Sequence, residues 1–175
     1  MGVAGEPKKV KLFCGIISSS DEITQKSYKK LIEKFTKIDL VSKIIPFDFS
    51  RYYNSEMGSN LERFWISFEG LISSSVIAGV KIFTNSIENV FSVNGKRKIN
   101  IDPGYITPAN IILATTKDYS HRIYLQKGIY AEVTAIYQKN SYLKLPWSYP
   151  DYLSSAAVDF FLKTRTKLLK QLRDI

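Results

Sequence analysis

Between Asn100 and Thr134 the sequence interrupts apolar, strand-like runs with Asn100, Asp102, Lys117, Asp118, His121, Arg122, Glu132 and Thr134. Carboxylates, cations and an imidazole at this density are the ingredients of an acid–base pair, an anion pocket or buried ion pairs. Glu132 is the sharpest case. In the alternating run from Ile129 to Tyr137, one face carries Ile129, Ala131, Val133, Ala135 and Tyr137, while Tyr130, Glu132 and Thr134 project from the other. An unpaired carboxylate buried there would be costly, so Glu132 requires Arg122, His121 or Lys81 as a partner, or a hydrated cleft.

His121 is the only histidine, which excludes a multi-histidine metal centre. With Asp102, Asp118 or Glu132 it could still bind a divalent ion such as Mg²⁺. Its ordinary pKa of about 6.5 would suit a general base, as for any histidine. Named motifs fail on spacing. Gly95-Lys96 lacks the upstream glycine and following Ser or Thr of a phosphate loop, and Thr116-Lys117-Asp118 is one residue short of the TKxD guanine-reading pattern. Neither a nucleophile elbow, a paired-cysteine motif nor HExxH occurs.

Three features lie outside this segment. Lys81, Thr84, Asn85 and Glu88 stand at i, i+3, i+4 and i+7, so on a helix they share a face and converge on a ligand or on a neighbouring strand. Asp48 sits between Phe47 and Phe49 and would leave a strand opposite them, within reach of Arg63 and Glu69 if their strands are neighbours; a surface charge network would also explain that trio. Trp147 belongs to the rigid loop Pro146-Trp147-Ser148-Tyr149-Pro150-Asp151-Tyr152, which could lid a core, close a pocket or stack a base.

The elements that must position these groups follow from periodicity. Lys9 to Ile17 reads as a buried strand, and Ser19-Ser20-Asp21-Glu22 caps a helix whose apolar stripe is Ile23, Tyr28, Leu31, Ile32, Phe35 and Ile38. Strands are predicted over 43–49 and around Phe64, Ile66 and Phe68. A helix capped by Ser73-Ser74-Ser75 carries Val76, Val80, Phe83, Ile87 and Val90. After the turn at Asn94-Gly95 comes a strand over 97–101, then a type II turn at Asp102-Pro103-Gly104-Tyr105 and a short helix from Thr107-Pro108 to about Thr115. Strands over 121–125 and 129–137 join through a hairpin at 126–128, a partner at 142–145 extends the meander, and a helix over 154–172 ends the chain. The first hundred residues thus read βαββαβ, the order of a ferredoxin-like unit, and an α+β fold is expected, with the short helix, meander and terminal helix added.

The chain has 175 residues, 45% of them hydrophobic and 23% charged, enough for one globular domain, with residues 1–8 as a flexible N-terminus. No apolar run approaches the roughly 20 residues of a membrane helix, and no signal-peptide core or myristoylation motif is present, so no membrane association and a cytoplasmic protein are expected. The single Cys14 fits a reduced compartment as a buried apolar residue. The formal charge is +9, but the excess is largely lysine on the first and last helices. Those runs are either solvated faces or a basic patch for nucleic acid or phosphorylated metabolites.

Val10-Lys11-Leu12-Phe13, Phe83-Thr84-Asn85, Asn100-Ile101-Asp102-Pro103-Gly104-Tyr105, Ser120-His121-Arg122-Ile123-Tyr124, Lys127-Gly128-Ile129-Tyr130-Ala131-Glu132-Val133-Thr134 and Leu145-Pro146-Trp147, in this order, resemble the uncharacterised bacterial family catalogued as domain of unknown function 4416, over nearly the whole chain. The resemblance brings no activity, but it implies that the polar positions above coincide with motif positions of the family. The expected function is a pocket for a phosphorylated small molecule or nucleotide, formed by Asp48, Lys81, Asn85, Asn100, Asp102, His121, Arg122 and Glu132. The alternatives are a hydrolase or transferase using His121 with Asp102 or Glu132, and an RNA-binding module.

Overall fold

A computed structural model describes residues 2–50 and 52–174. Residues 2–9 are exposed and carry no regular structure, while Met1, the first of the residues expected to be flexible, lies outside the described residues. Among the described residues the chain forms β1 (Val10–Ser18), α1 (Asp21–Lys34), β2 (Ile38–Val41), β3 (Ile45–Pro46), the single turn α2 (Asn54–Met57), β4 (Glu62–Ile72), α3 (Ile77–Val90), β5 (Ile99–Ile106), β6 (Asn110–Thr115), β7 (Ile123–Gln126), β8 (Ile129–Gln138), β9 (Ser141–Lys144) and α4 (Ser155–Gln171). The fold is α+β. All strands join one antiparallel sheet in the order β2-β4-β1-β5-β6-β8-β7, with β3 added to β4 and β9 to β8.

Both faces of the sheet are covered, which explains why every residue of β1 is buried. Leu12, Cys14 and Ile16 of β1 pack with Phe64, Ile66 and Phe68 of β4 against Leu31 of α1 and Ile77, Val80 and Ile87 of α3. The alternate residues face α4, where Phe13 and Trp65 meet Phe160, Phe161 and Leu168. Cys14 is a free, fully buried thiol whose pKa burial pushes up. Side-chain caps set the helix starts: Ser20 accepts from Ile23 N at 3.3 Å and Ser154 from Ala157 N at 3.3 Å.

Three local expectations are corrected. The strand expected over 43–49 is instead β2 at Ile38–Val41 plus the two-residue β3, so Ile38 leaves the helical stripe to pair with Phe68. The segment from Thr107 to Thr115 is a tight turn and a strand, not a helix. Thr107 Oγ1 accepts from the N–H groups of Ala109 and Asn110, both at 3.0 Å, and β6 then pairs with β5 on one side and β8 on the other. Pairing on both edges outweighs the Thr-Pro start signal. The third concerns Asp102-Pro103-Gly104-Tyr105, which continues β5 opposite Gly15-Cys14-Phe13-Leu12 of β1 rather than turning. Gly104 is there for clearance, since a Cβ would come within 2.3 Å of Ile112 O and 2.5 Å of Phe13 Cζ.

Candidate functional site

β5 pairs with β1 from Ile99 to Ile106 but with β6 only from Gly104 to Ile106, so the sheet splits and the first half of β5 has an open edge. Side chains of α3 occupy that edge in place of a strand. Glu88 Oε1 accepts the Ile101 N–H at 2.7 Å and Lys81 Nζ donates to Ile101 O at 3.1 Å. Seven residues, about two turns, separate them on one helix face. Pro103, which has no N–H to leave unpaired, faces the same edge by alternation. The polar stripe of α3 is therefore turned inward, with Lys81, Thr84 and Glu88 buried.

A chain of polar contacts runs along this wall. Arg97 binds both oxygens of Glu56 at 2.7 Å and sends Nη1 to Glu88 Oε2 at 3.2 Å and Asn100 Oδ1 at 2.8 Å. Asn100 Nδ2 donates to Asp102 Oδ2 at 2.7 Å, and Lys81 Nζ lies 3.3 Å from Asp102 Oδ1. Burial opposes the charge of Asp102, yet Lys81, Arg63 and the Asn100 amide hold its carboxyl below the usual range. Burial prevails at Glu88 and raises its pKa. The adjacent Tyr53 hydroxyl is also pushed up by burial and remains neutral.

The opposite wall is the end of β6 and β8. Arg122 Nε donates to Glu132 Oε2 at 2.7 Å, Nη1 to Lys117 O at 3.0 Å and Nη2 to the Tyr149 hydroxyl at 3.1 Å. Thr134 Oγ1 donates to Glu132 Oε1 at 3.1 Å. The charges of Arg122 and Glu132 are almost wholly removed from solvent, so this is a dry ion pair. Underneath, Arg63 is 1% exposed and its Nε lies 2.8 Å from Asp151 Oδ2. At the mouth, Lys117 Nζ sits 4.6 Å from the centre of the Tyr52 ring.

Between these walls lies a cavity of about 580 Å³, within the roughly 300–1,000 Å³ range of small-molecule sites. Among the described residues its lining includes five cations (Arg63, Lys81, Arg97, Lys117 and Arg122), four carboxylates (Glu88, Asp102, Glu132 and Asp151) and Tyr52, Tyr53, Tyr119, Tyr149 and Tyr152.

Of the residues expected at a site, Lys81, Asn85, Asn100, Asp102, Arg122 and Glu132 line this cavity, and Asp48 and His121 do not. Asp48 is exposed, beyond the end of β3, although its neighbour Phe47 reaches the cavity. Arg63 is likewise no part of a surface network with Asp48 and Glu69, because it is buried against Asp151. His121 stands behind the wall. Its Nε2 is 3.3 Å from Glu132 Oε2, and its ring stacks on Trp147 at 5.0 Å and 13°. Trp147 in turn donates Nε1 to Val133 O at 2.8 Å. The sequence reading left Arg63, Arg97 and Asp151 out of the site. Arg63 carried a usable signal, being a charge two residues before Trp65 on the same strand face. Among the described residues no group of three His, Cys, Asp or Glu side chains is placed to hold a metal ion, and no helix is long and apolar enough to cross a membrane.

The molecule is thus an α+β protein with a charged, tyrosine-lined cavity in a split antiparallel sheet. It belongs to the family described as Domain of unknown function (DUF4416), whose profile matches residues 8–168. No curated protein and no solved structure matches the chain.

Proposed function

We propose that the cavity between β5 and β6 binds a phosphorylated small molecule or a nucleotide, in a reduced, cytoplasmic setting that suits the buried thiol. The observation that carries this reading is the convergence of five cations and five tyrosines on one cavity of about 580 Å³. The cations can meet an anionic group, the tyrosine rings can cover a planar or sugar-like body, and Asn85, Asn100 and Asp102 offer acceptors for hydroxyls. Lys117 has its amine on the Tyr52 ring at the mouth, where it can draw an anion inward.

A thermal-shift screen across nucleotides and sugar phosphates tests the reading. A ligand at a hundred times its Kd stabilises by about 2.7 kcal/mol, a rise of roughly 5–10 °C for a chain of this size. The absence of any rise at millimolar ligand would remove the proposal. The second reading, a hydrolase or transferase, is favoured by the 3.3 Å approach of His121 to Glu132. It ranks below the first because that carboxylate oxygen already accepts from Arg122 at 2.7 Å.

A further inference from the structure

The ions that line the cavity cancel in pairs, and burial decides which of them a ligand can reach. Asp151 pairs with Arg63, Glu132 with Arg122, Asp102 with Lys81, and Glu88 shares Arg97 with Glu56. Lys117, exposed at the mouth, is left over with no ion pair among the described residues. The side chains of Glu88, Glu132 and Asp151 are at most 6% exposed, whereas that of Asp102 is 30% exposed. A carboxylate sealed from solvent is sealed from a ligand as well, so among the described residues Asp102 is the acid through which this cavity can act.

Asp102 is held from two sides, by Asn100 Nδ2 donating to Oδ2 at 2.7 Å and by Lys81 Nζ at 3.3 Å from Oδ1. These partners keep the carboxyl ionised at neutral pH, so it can only accept hydrogen bonds. A carboxylate has roughly four acceptor sites, which leaves about two of them open. Because Lys81 already balances its charge, Asp102 offers lone pairs without a net field for an ammonium group, and neutral hydroxyls are its fitting partners. Asn85, one helical turn beyond Lys81 on α3, lines the same cavity and makes no side-chain hydrogen bond among the described residues. Its amide is free both to donate and to accept.

We propose that Asp102 reads a pair of vicinal hydroxyls, and that the ligand is a sugar-bearing monophosphate whose single phosphoryl group lies against Lys117. The neutral, hydroxyl-rich part occupies the interior beside Asp102 and Asn85, and the anion stays at the mouth, where the one uncommitted cation among the described residues stands. A second phosphate would carry charge past Lys117 into a cavity whose remaining cations already have partners. The inference rests on the ligand-binding reading above and narrows its ligand from phosphorylated molecules and nucleotides in general to monophosphates that carry a vicinal diol.

The test is calorimetric titration of the full chain with adenosine monophosphate, ribose 5-phosphate and glucose 6-phosphate, each against its 2-deoxy counterpart, and with adenosine triphosphate. In wild type the deoxy form of whichever probe binds should do so about tenfold more weakly, the loss of one hydrogen bond to a charged group. The triphosphate should bind no more tightly than the monophosphate. Adenosine monophosphate as the tightest probe would assign a nucleoside, a sugar phosphate the free sugar, and either supports the inference. Asp102→Asn, which keeps the shape and an oxygen for the Asn100 amide, should erase the preference for the hydroxylated form. That variant deprives Lys81 of its counter-charge, so if it does not fold, the wild-type comparison decides alone. Equal affinity of wild type for both forms, a preference that survives Asp102→Asn, a triphosphate bound tenfold more tightly, or binding only of ligands without a vicinal diol would overturn the inference and leave the cavity reading standing. No response to these probes or to the wider screen above would remove both.

Discussion

Replacing Glu88 with alanine removes the acceptor that α3 supplies to the open edge of β5. The Ile101 N–H, within a residue that is 0% exposed, would then have no partner in place of the 2.7 Å bond it makes now. A buried donor left unmatched costs about 1–3 kcal/mol. Arg97 loses one contact but keeps both oxygens of Glu56 and Asn100 Oδ1, so its share is small. The expected destabilisation is therefore about 1–3 kcal/mol, a fall in Tm of roughly 2–12 °C. Glu88→Gln keeps an amide oxygen for Ile101 and should stay within about 1 kcal/mol of wild type. The pair also has a pH signature. Because burial raises the folded-state pKa of Glu88 above its unfolded value, the native state holds the proton more tightly. Wild-type stability from this group is then greatest at low pH and declines as pH rises through the folded pKa. Gln has no such decline, so its stability relative to wild type should increase from pH 4 to pH 8 in urea titrations. An alanine variant as stable as wild type, or a Gln advantage that shrinks with rising pH, would refute the strand-substitute role of α3.

Arg122→Met should cost about 3–5 kcal/mol in urea unfolding, because it leaves the Glu132 carboxylate buried with only Thr134 and His121. Asp39→Asn removes the charge that Lys11 Nζ, fully buried, meets at 2.8 Å, leaving it Glu69 O and Gln171 Oε1; a loss of about 3 kcal/mol is expected at pH 7. Burial opposes the Asp39 charge, but Lys11 and Ser67 hold its pKa below the usual value, so its stabilisation is complete above the unfolded pKa of about 4 and disappears as pH falls through the lower folded value. Acid titration should accordingly be flatter in Asp39→Asn than in wild type. Gly104→Ala should destabilise strongly, because the Cβ meets the Ile112 carbonyl at 2.3 Å, and backbone cannot move aside as a side-chain tip can. Circular dichroism melts set against Gly79→Ala, where a Cβ meets nothing within 4 Å, check the contrast.

Periodicity carried most of the architecture. β1, β4, β8 and helices α1, α3 and α4 were legible because each buries a stripe or an alternating face, and burial is what the pattern encodes. The failures all come from strand pairing. Thr107-Pro108 and Asp102-Pro103-Gly104 carry strong local turn and helix signals, but β5 and β6 find partners far away in sequence, and those ladders decide their conformation. The candidate site divides the same way. Lys81, Asn85, Asn100, Asp102, Arg122 and Glu132 stood out as polar interruptions of apolar runs. Arg97 and Asp151 reach the cavity only through the packing of α2 and of the segment before α4 around it, and no local spacing reports that; the position of Arg63 two residues before Trp65 signals burial but not the cavity it borders.

The split between β5 and β6 explains why the polar positions are so concentrated. A sheet that opens must satisfy the backbone groups it exposes, and water entering from the cavity would compete for each of them. Here α3 supplies a carboxylate and an amine for Ile101, and those charges then need their own partners, which are Arg97 on one side and Asp102 on the other. Part of the cavity's charge is therefore structural, maintaining the gap, and substitutions at Lys81 or Glu88 should act on stability as well as on ligand affinity. Lys117 is of a different kind. It makes no ion pair among the described residues, and its amine lies over the Tyr52 ring. Lys117→Ala should accordingly leave the unfolding free energy within about 0.5 kcal/mol of wild type and weaken an anionic ligand more at low salt than at high. Equal weakening at both salt concentrations would mean that Lys117 touches the ligand by some route other than its charge.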